Sequence, residues 1–164
     1  MSTLHINIKS KHTNKKSEDI SMKEDSINLL KECNSGCKNA TDSMEQILPY
    51  VKDEKLKSLI EDYNKKHIEI GDECHSILNK EGYDEKDPNK ITKAMAWFGT
   101  EIKLLIDAGS DKIADMLVDG CNMGIKSLSR FNNKYSEAES KVKDLSYELI
   151  SLEQDFMNEL LAFL

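Results

Sequence analysis

Apolar residues recur every three or four positions along most of the chain, a spacing that places them on one face of an α-helix. The segment from 56 to 77 shows the pattern most clearly, and three further segments repeat it. The apolar positions of the four segments are Leu30, Cys33, Cys37, Ala40, Met44, Ile47 and Val51; Leu56, Ile60, Tyr63, His67, Ile70, Cys74 and Ile77; Ile113, Leu117, Cys121, Gly124, Leu128, Phe131 and Tyr135; and Val142, Leu145, Leu149, Leu152, Phe156, Leu160 and Phe163. The pattern predicts an all-α protein with four long helices.

Capping residues predict where these helices begin. Ser21 and Glu24 form an S-x-x-E capping box before the first segment, and Asp53 is placed to cap the second. The third helix is expected to begin at Ser110 and the fourth near Glu137. Because the links within the first pair and within the second pair are short, each pair is predicted to form an antiparallel hairpin.

The stretch from about 89 to 108 separates the two hairpins and is apolar on most of its sides. It predicts a crossover helix of about five turns. Trp97, Phe98 and Leu104 present more apolar surface than one contact face needs. One interpretation is packing in the groove between the hairpins, and the other is an interface with a second copy of the chain or with another protein.

Residues 1–20 precede the first helical segment and are mostly polar. Lys9, Lys11, Lys15 and Lys16 occur in the first sixteen positions without any acidic residue. We predict a disordered basic tail over 1–20 and a single helical domain over 21–164. The alternation of apolar residues between positions 4 and 8 leaves one alternative, in which the tail docks on another protein.

The hairpins share a short internal repeat, C-N-x-G-x-K, at positions 33–38 and 121–126. Two hairpins joined by a long helical crossover resemble the ferritin-like superfamily. The Trp-containing crossover and the GSDK helix start are similar to a bacterial family of small ferritin-like proteins of unknown function, over roughly residues 25–164. The resemblance implies a ferritin-like four-helix bundle of two antiparallel hairpins joined by a long helical crossover.

Carboxylate-bridged di-iron chemistry would follow from the resemblance only if the ligands are present. Di-iron bundles take a Glu from each of two helices and a Glu-x-x-His motif from each of the other two. This chain has no Glu-x-x-His, and the nearest form, Asp72-x-x-His75, points away from the apolar face of its helix. We therefore expect that pair to be solvated, and we expect neither ferroxidase chemistry nor another enzyme activity.

The middle of the predicted bundle carries cysteine and histidine where leucine is usual. If the hairpins are related by the twofold axis that the resemblance implies, one layer contains Cys33, Cys37, His67, Cys121 and Glu153. Thiolate, imidazole and carboxylate groups bind zinc, copper or iron, so this layer is a candidate transition-metal site. The alternative is packing, with the cysteines as small buried apolar side chains and the histidine hydrogen-bonded in the core.

Composition narrows the classes of function. A chain of 164 residues folds around a core without needing a metal or a disulfide, and its net charge of −7 argues against a nucleic-acid partner. No apolar run reaches the ~18 residues of a membrane span or forms a secretory signal, so we expect a cytoplasmic protein with free thiols. The first expectation is a non-enzymatic bundle that acts through a protein partner or self-association. The alternative is metal storage or sensing by the mid-bundle Cys/His layer.

Overall fold

The computed structural model describes residues 22–83, 105 and 107–164. These residues form four α-helices and two short 3-10 turns. The helices are α1 (Glu24–Ile47), α2 (Glu54–Lys80), α3 (Ser110–Lys134) and α4 (Ser140–Leu160), and the turns are Leu48–Tyr50 and Leu161–Phe163. No strand occurs in the described ranges. The prediction of an all-α bundle of four long helices is confirmed.

Several sequence predictions lie outside the described residues. They are the basic tail over 1–20 and almost all of the crossover expected at about 89–108, including Trp97, Phe98 and Leu104. Among the helices that are described, none is both long enough and apolar enough to cross a bilayer.

The helix ends show which capping predictions were correct. Asp53 Oδ1 accepts hydrogen bonds from the backbone N–H groups of Lys55 and Leu56, both at 2.9 Å, so its role as the cap of α2 is confirmed. The first helix begins at Glu24, with Lys23 in the cap position and no side-chain cap bond. The last helix begins at Ser140, three residues later than predicted, because residues 135–139 first form a turn.

Contacts between helices fix their directions. Near the start of α1, Asp25 accepts a hydrogen bond from the backbone N–H of Glu137 at 3.0 Å, while farther along α1 the backbone of Gly36 faces Leu149. The first and last helices therefore run parallel. The first hairpin is antiparallel, since Gly71 of α2 lies beside Cys37 while Tyr83, after α2, lies beside Lys31. The second is antiparallel as well, because Asn132 bonds to Ser146 whereas Gly124 lies beside Glu153.

The second and third helices run in the same direction as each other. Lys31, near the start of α1, lies over the ring of Tyr83 just after α2, whereas Ala108 just before α3 packs with Ile47 and Leu160 at the opposite end. A helix of 25 residues, such as α3, measures about 37 Å. The end of α2 and the start of α3 are thus separated by the length of the bundle, which is the arrangement that a lengthwise crossover requires.

The core is divided into two clusters of buried side chains. The first core cluster contains Met44, Ile47, Val51, Leu56, Ile60, Tyr63, Leu105, Ala108, Ile113, Ala114, Met116, Leu117, Cys121, Phe156 and Leu160. The second core cluster contains Ile27, Leu29, Leu30, Cys33, Cys37, Ile70, Cys74, Leu78, Leu128, Tyr135, Ala138, Val142, Leu145 and Leu149. The boundary between the two clusters falls at His67 on α2, Gly124 on α3 and Glu153 on α4. We call these three residues the polar layer.

The pattern of α4 differs from the prediction at this boundary. Leu152 was predicted to face inward, but it is only half-buried, whereas Glu153 is 8% exposed. A carboxylate is buried there because a histidine on the neighbouring helix provides it with a partner.

Candidate functional site in the middle of the bundle

His67 and Glu153 meet across α2 and α4 in the polar layer. The Nε2 atom of His67 lies 3.1 Å from Oε1 of Glu153, and the histidine is 1% exposed. When the second helices of the two hairpins are laid over one another, His67 of α2 falls on Glu153 of α4. A contact between equivalent positions of the two hairpins is what a twofold relation between them produces.

The contacts of the imidazole determine how many protons the pair holds. The Nδ1 atom of His67 lies 2.7 Å from the backbone carbonyl oxygen of Tyr63, and because a carbonyl oxygen only accepts, Nδ1 carries a hydrogen. A neutral imidazole protonated there presents a lone pair at Nε2, which would face an anionic carboxylate oxygen. The 3.1 Å contact between Nε2 and Oε1 is therefore a hydrogen bond only when one additional proton lies between His67 and Glu153.

Cys121 of α3 also contacts this carboxylate. Its thiol hydrogen-bonds to Glu153, and burial together with the neighbouring negative charge raises the pKa of the Cys121 thiol. The close approach of α3 depends on Gly124, since a Cβ atom there would lie 3.1 Å from Oε1 of Glu153. The carboxylate is thus held between an imidazole, a thiol and a glycine backbone.

Cys37 lies on the other side of His67, where a cavity enters the bundle between α1 and α2. The cavity has a volume of about 230 Å³. Cys37 and His67 line its inner part, whereas Asp72 and Ile68, both exposed, line its mouth. Burial raises the pKa of the Cys37 thiol, and the negative charges of nearby groups add to this effect. Cys37 is therefore a neutral thiol beside the polar layer.

Cys33 is placed differently from the predicted layer. It contacts Cys74 of α2 and Ser146 of α4, one level farther into the second core cluster. The hydrogen bond from the Cys74 thiol lowers the pKa of Cys33, and the same bond, with burial, raises the pKa of Cys74. This thiol pair is a second polar feature that is distinct from the His67 to Glu153 contact.

Among residues 22–83 and 107–164, no three His, Cys, Asp or Glu side chains are spaced to hold a metal ion in the conformation that the structure adopts. The structure brings His67, Glu153 and Cys121 into one connected set and places Cys37 next to it. In this set, Nε2 of His67 and Oε1 of Glu153 face each other, but no third ligand atom is directed at the point between them.

Two features of the site were missed by sequence reasoning. Cys74 was treated only as one apolar position among others, although its neighbour across the hairpin is another thiol. Asp72 and His75 were predicted to be a solvated pair, and they line the cavity that leads to His67. The position of His67 on the same helix, one to two turns earlier, was the signal that could have connected them.

Comparisons with known proteins bear on the fold. No protein-family model matches the chain, and no curated protein matches it. The structure is similar to the crystal structure of a DUF305 fragment from Deinococcus radiodurans, with a TM-score of 0.69 and 11% sequence identity over 86% of this chain and 95% of that one. At this identity the likeness is one of fold, and it shows that the helical bundle is shared.

Proposed function

We propose that this chain is a non-enzymatic ferritin-like bundle that binds one transition-metal cation in its polar layer. His67 and Glu153 would supply two ligands, and Cys121 the third after its thiol turns from the carboxylate toward the ion. The observation that carries the proposal is the 3.1 Å contact between Nε2 of His67 and Oε1 of Glu153. The ferritin-like assignment is supported by the parallel direction of α2 and α3, because ferritin-like bundles have one long crossover.

The distance between the two atoms suits a shared ion. Zinc bound at about 2.0–2.2 Å holds tetrahedral ligand atoms about 3.3–3.6 Å apart. The His67 to Glu153 contact therefore has to widen by only a few tenths of an ångström for a cation to replace the shared proton. A pair that holds one proton between imidazole and carboxylate is a suitable starting point for that exchange.

The orientation of His67 gives independent support. Histidines that bind metals almost always donate their other ring N–H to a carboxylate, a backbone carbonyl or water, which fixes the tautomer. Here Nδ1 donates to the carbonyl of Tyr63 at 2.7 Å and leaves Nε2 directed at the carboxylate.

The ligand chemistry selects the class of ion. One imidazole, one carboxylate and one thiol match zinc or another borderline divalent cation better than magnesium or calcium, which prefer oxygen. A reducing compartment such as the cytoplasm keeps the four cysteines, all free here, in the thiol form. Storage or sensing of such an ion fits a buried site without a reaction centre.

The proposal is tested by titrating the reduced, metal-free protein with Zn²⁺ in calorimetry under anaerobic conditions, at one pH in two buffers of different ionisation enthalpy. We expect one ion per chain and the release of about two protons, one from the shared pair and one from Cys121. Glu153→Gln and His67→Gln should each weaken binding about tenfold or more, which is about 1.4 kcal/mol per factor of ten.

Matched controls separate the site from the surface. Glu159→Gln removes a carboxylate from the same helix that bonds to the hydroxyl of Tyr63 at 2.6 Å, and His75→Gln removes another histidine of α2. Both should keep the wild-type dissociation constant. Zinc binding that survives both Glu153→Gln and His67→Gln in folded protein contradicts the proposal.

A second candidate function is contact with a protein partner or a second copy of the chain, as the sequence first suggested. Leu161 and Leu164 are 52% and 59% exposed beside the half-buried Phe163, which leaves an apolar group at one end of the bundle. Light scattering should detect an oligomer that Leu161→Glu disrupts and that Tyr147→Glu, at an exposed position on the α4 surface, leaves intact. A monomer at high concentration argues against self-association.

A further inference from the structure

The cavity between α1 and α2 connects solvent with the polar layer. Its wall includes the buried His67 and Cys37 and the exposed Asp72. Gly71 lies on the same wall, and a Cβ atom at that position would approach Cβ of Cys37 to 3.1 Å. Beside the opening, α1 and α2 are therefore closer together than a side chain at Gly71 would allow. The cavity has room only for a small ligand.

The cavity lining carries two groups that can bind a cation, Asp72 and His75, together with Lys38, whose charge opposes one. Asp72 and His75 are three residues apart on α2, a spacing that places both side chains on one side of the helix. The amide nitrogen Nδ2 of Asn79 lies 2.8 Å from Nε2 of His75. Because an amide nitrogen only donates, the lone pair of His75 Nε2 accepts in this contact, and a cation that binds His75 there displaces the Asn79 amide.

We infer that this cavity is the route by which a divalent transition-metal cation reaches His67, and that Asp72 and His75 form its first capture site. The inference rests on the proposed function, since it concerns access to the same polar layer. A hydrated cation first exchanges water for the carboxylate and imidazole at the mouth. It then moves inward to the side chains of Cys37 and His67, which line the inner part of the cavity.

A capture site on the route has a kinetic signature that a ligand of the final site lacks. Removing a group that the ion only passes slows binding and release by the same factor, so the dissociation constant is unchanged. Removing a ligand of the final site instead weakens equilibrium binding. The two rate constants measured together therefore distinguish a capture role for Asp72 and His75 from direct ligation.

The first experiment uses stopped-flow mixing of Zn²⁺ with the reduced full-length chain, followed by release of the bound ion to a chromogenic chelator. The double variant Asp72→Asn with His75→Gln should lower both rate constants about tenfold, the scale of electrostatic steering at a charged cleft. Glu69→Gln is the matched control, because it removes an exposed acidic side chain from the same helix outside the cavity wall. It should leave both rate constants unchanged.

The second experiment closes the cavity without touching the capture site. Ile68 lines the mouth and is 41% exposed, whereas the four native cysteines are buried. Ile68→Cys can therefore be labelled selectively with a bulky thiol reagent, and the labelled protein should take up and release Zn²⁺ at least about fivefold more slowly than the same variant before labelling. Tyr147→Cys, labelled in the same way on the exposed surface of α4, should show no slowing.

The outcomes are distinguishable. If the wild-type chain binds no Zn²⁺, the proposed function is overturned and the access route with it. If Zn²⁺ binds through His67 and Glu153 but neither the double variant nor the labelled Ile68→Cys protein slows exchange, the inference about the cavity is wrong and the proposed function stands. If the double variant raises the dissociation constant, Asp72 and His75 are ligands and the capture role is rejected.

Discussion

The two core clusters are built from different kinds of side chain. In the first core cluster, Tyr63 and Phe156 stack with their ring centroids 4.5 Å apart. The second core cluster has Cys33, Cys37 and Cys74 at the corresponding interior positions of the first hairpin. A stacked pair of aromatic rings joins α2 and α4 on one side of the polar layer, whereas three small polarisable thiols lie between α1 and α2 on the other.

The difference shows where chemistry can be accommodated in this bundle. Thiols bury less surface than rings and leave α1 and α2 close together at Gly71, with the cavity opening beside them. On the aromatic side the polar atom of Tyr63 is already bonded, because its hydroxyl donates to Glu159 at 2.6 Å. Among the described residues, we therefore expect a ligand to enter from the thiol side.

The largest effect is expected in the aromatic cluster. Phe156→Ala removes a ring that is 2% exposed and stacked on Tyr63, so it should lower the free energy of unfolding by about 3–5 kcal/mol. Cys74→Ala, at a fully buried position of the thiol cluster, removes far less volume and should cost less. Urea unfolding measures both, with the exposed Tyr147→Ala expected within about 0.5 kcal/mol of wild type. Equal losses from the two core variants would remove the distinction between the clusters.

Removing only one of the two hydrogen-bonded partners in the polar layer is expected to lower the free energy of unfolding. Glu153→Met leaves Nε2 of His67 without a carboxylate in a buried position and should lower the free energy of unfolding by about 1–3 kcal/mol. The double variant His67→Leu with Glu153→Met replaces both polar groups and should recover most of that loss, since well-packed apolar replacements of buried pairs are often neutral or stabilising. A double-mutant cycle in urea gives the coupling. Strictly additive losses would mean that the two residues do not act as a pair.

Buried thiols should make the protein less stable in alkali. Burial raises the pKa of Cys37 above the ordinary thiol value of 9.0, so the native state keeps a proton that the unfolded chain releases as the pH rises through that value. The stabilisation is fully present below pH 9 and declines above it, by about 1.4 kcal/mol per thiol at one pH unit higher. Unfolding of wild type and Cys37→Ala at pH 7 and pH 10 checks this, because the variant should lose less between the two.

A control for this experiment needs a buried group that does not titrate. Ser43 is 7% exposed, and its hydroxyl donates to the carbonyl of Asn39 at 2.7 Å. Ser43→Ala should change stability by the same amount at both pH values. If Cys37→Ala behaves in the same way as Ser43→Ala, then the Cys37 thiol is not responsible for the alkaline decline.

Much of this architecture was predictable because it depends on local patterns. The three-and-four spacing predicted four helices, the side chain of Asp53 predicted the start of α2, and His67 was correctly expected on the buried face. These are consequences of helix geometry and of unsatisfied backbone donors at helix ends. They require no knowledge of how the helices are arranged.

The choice of partners was not predictable because it depends on how far each helix is rotated and shifted against its neighbours. The twofold axis that the resemblance implies placed Cys33 and His67 in one layer, but the packing of α1 on α2 puts Cys33 against Cys74. Periodicity put Leu152 on the apolar face of α4, and Glu153, which the same axis placed in the layer, is more deeply buried because the carboxylate finds an imidazole and a thiol. Contacts between helices decided the composition of the polar layer.

The smallest predicted effect is a difference between Gly36 and Gly124, which occupy the same position of the C-N-x-G-x-K repeat. Alanine is favoured over glycine inside a helix by about 0.8–1.0 kcal/mol, and at Gly36 the nearest atom to a new Cβ is a methyl group of Leu149 at 3.9 Å, an ordinary contact. Gly36→Ala should therefore stabilise the protein by about 0.5–1 kcal/mol. At Gly124 the new Cβ would lie 3.1 Å from Oε1 of Glu153, which its contact with His67 prevents from moving away. Gly124→Ala should be destabilising, and in a Glu153→Ala background its sign should reverse, because the carboxylate that opposes the methyl group is absent.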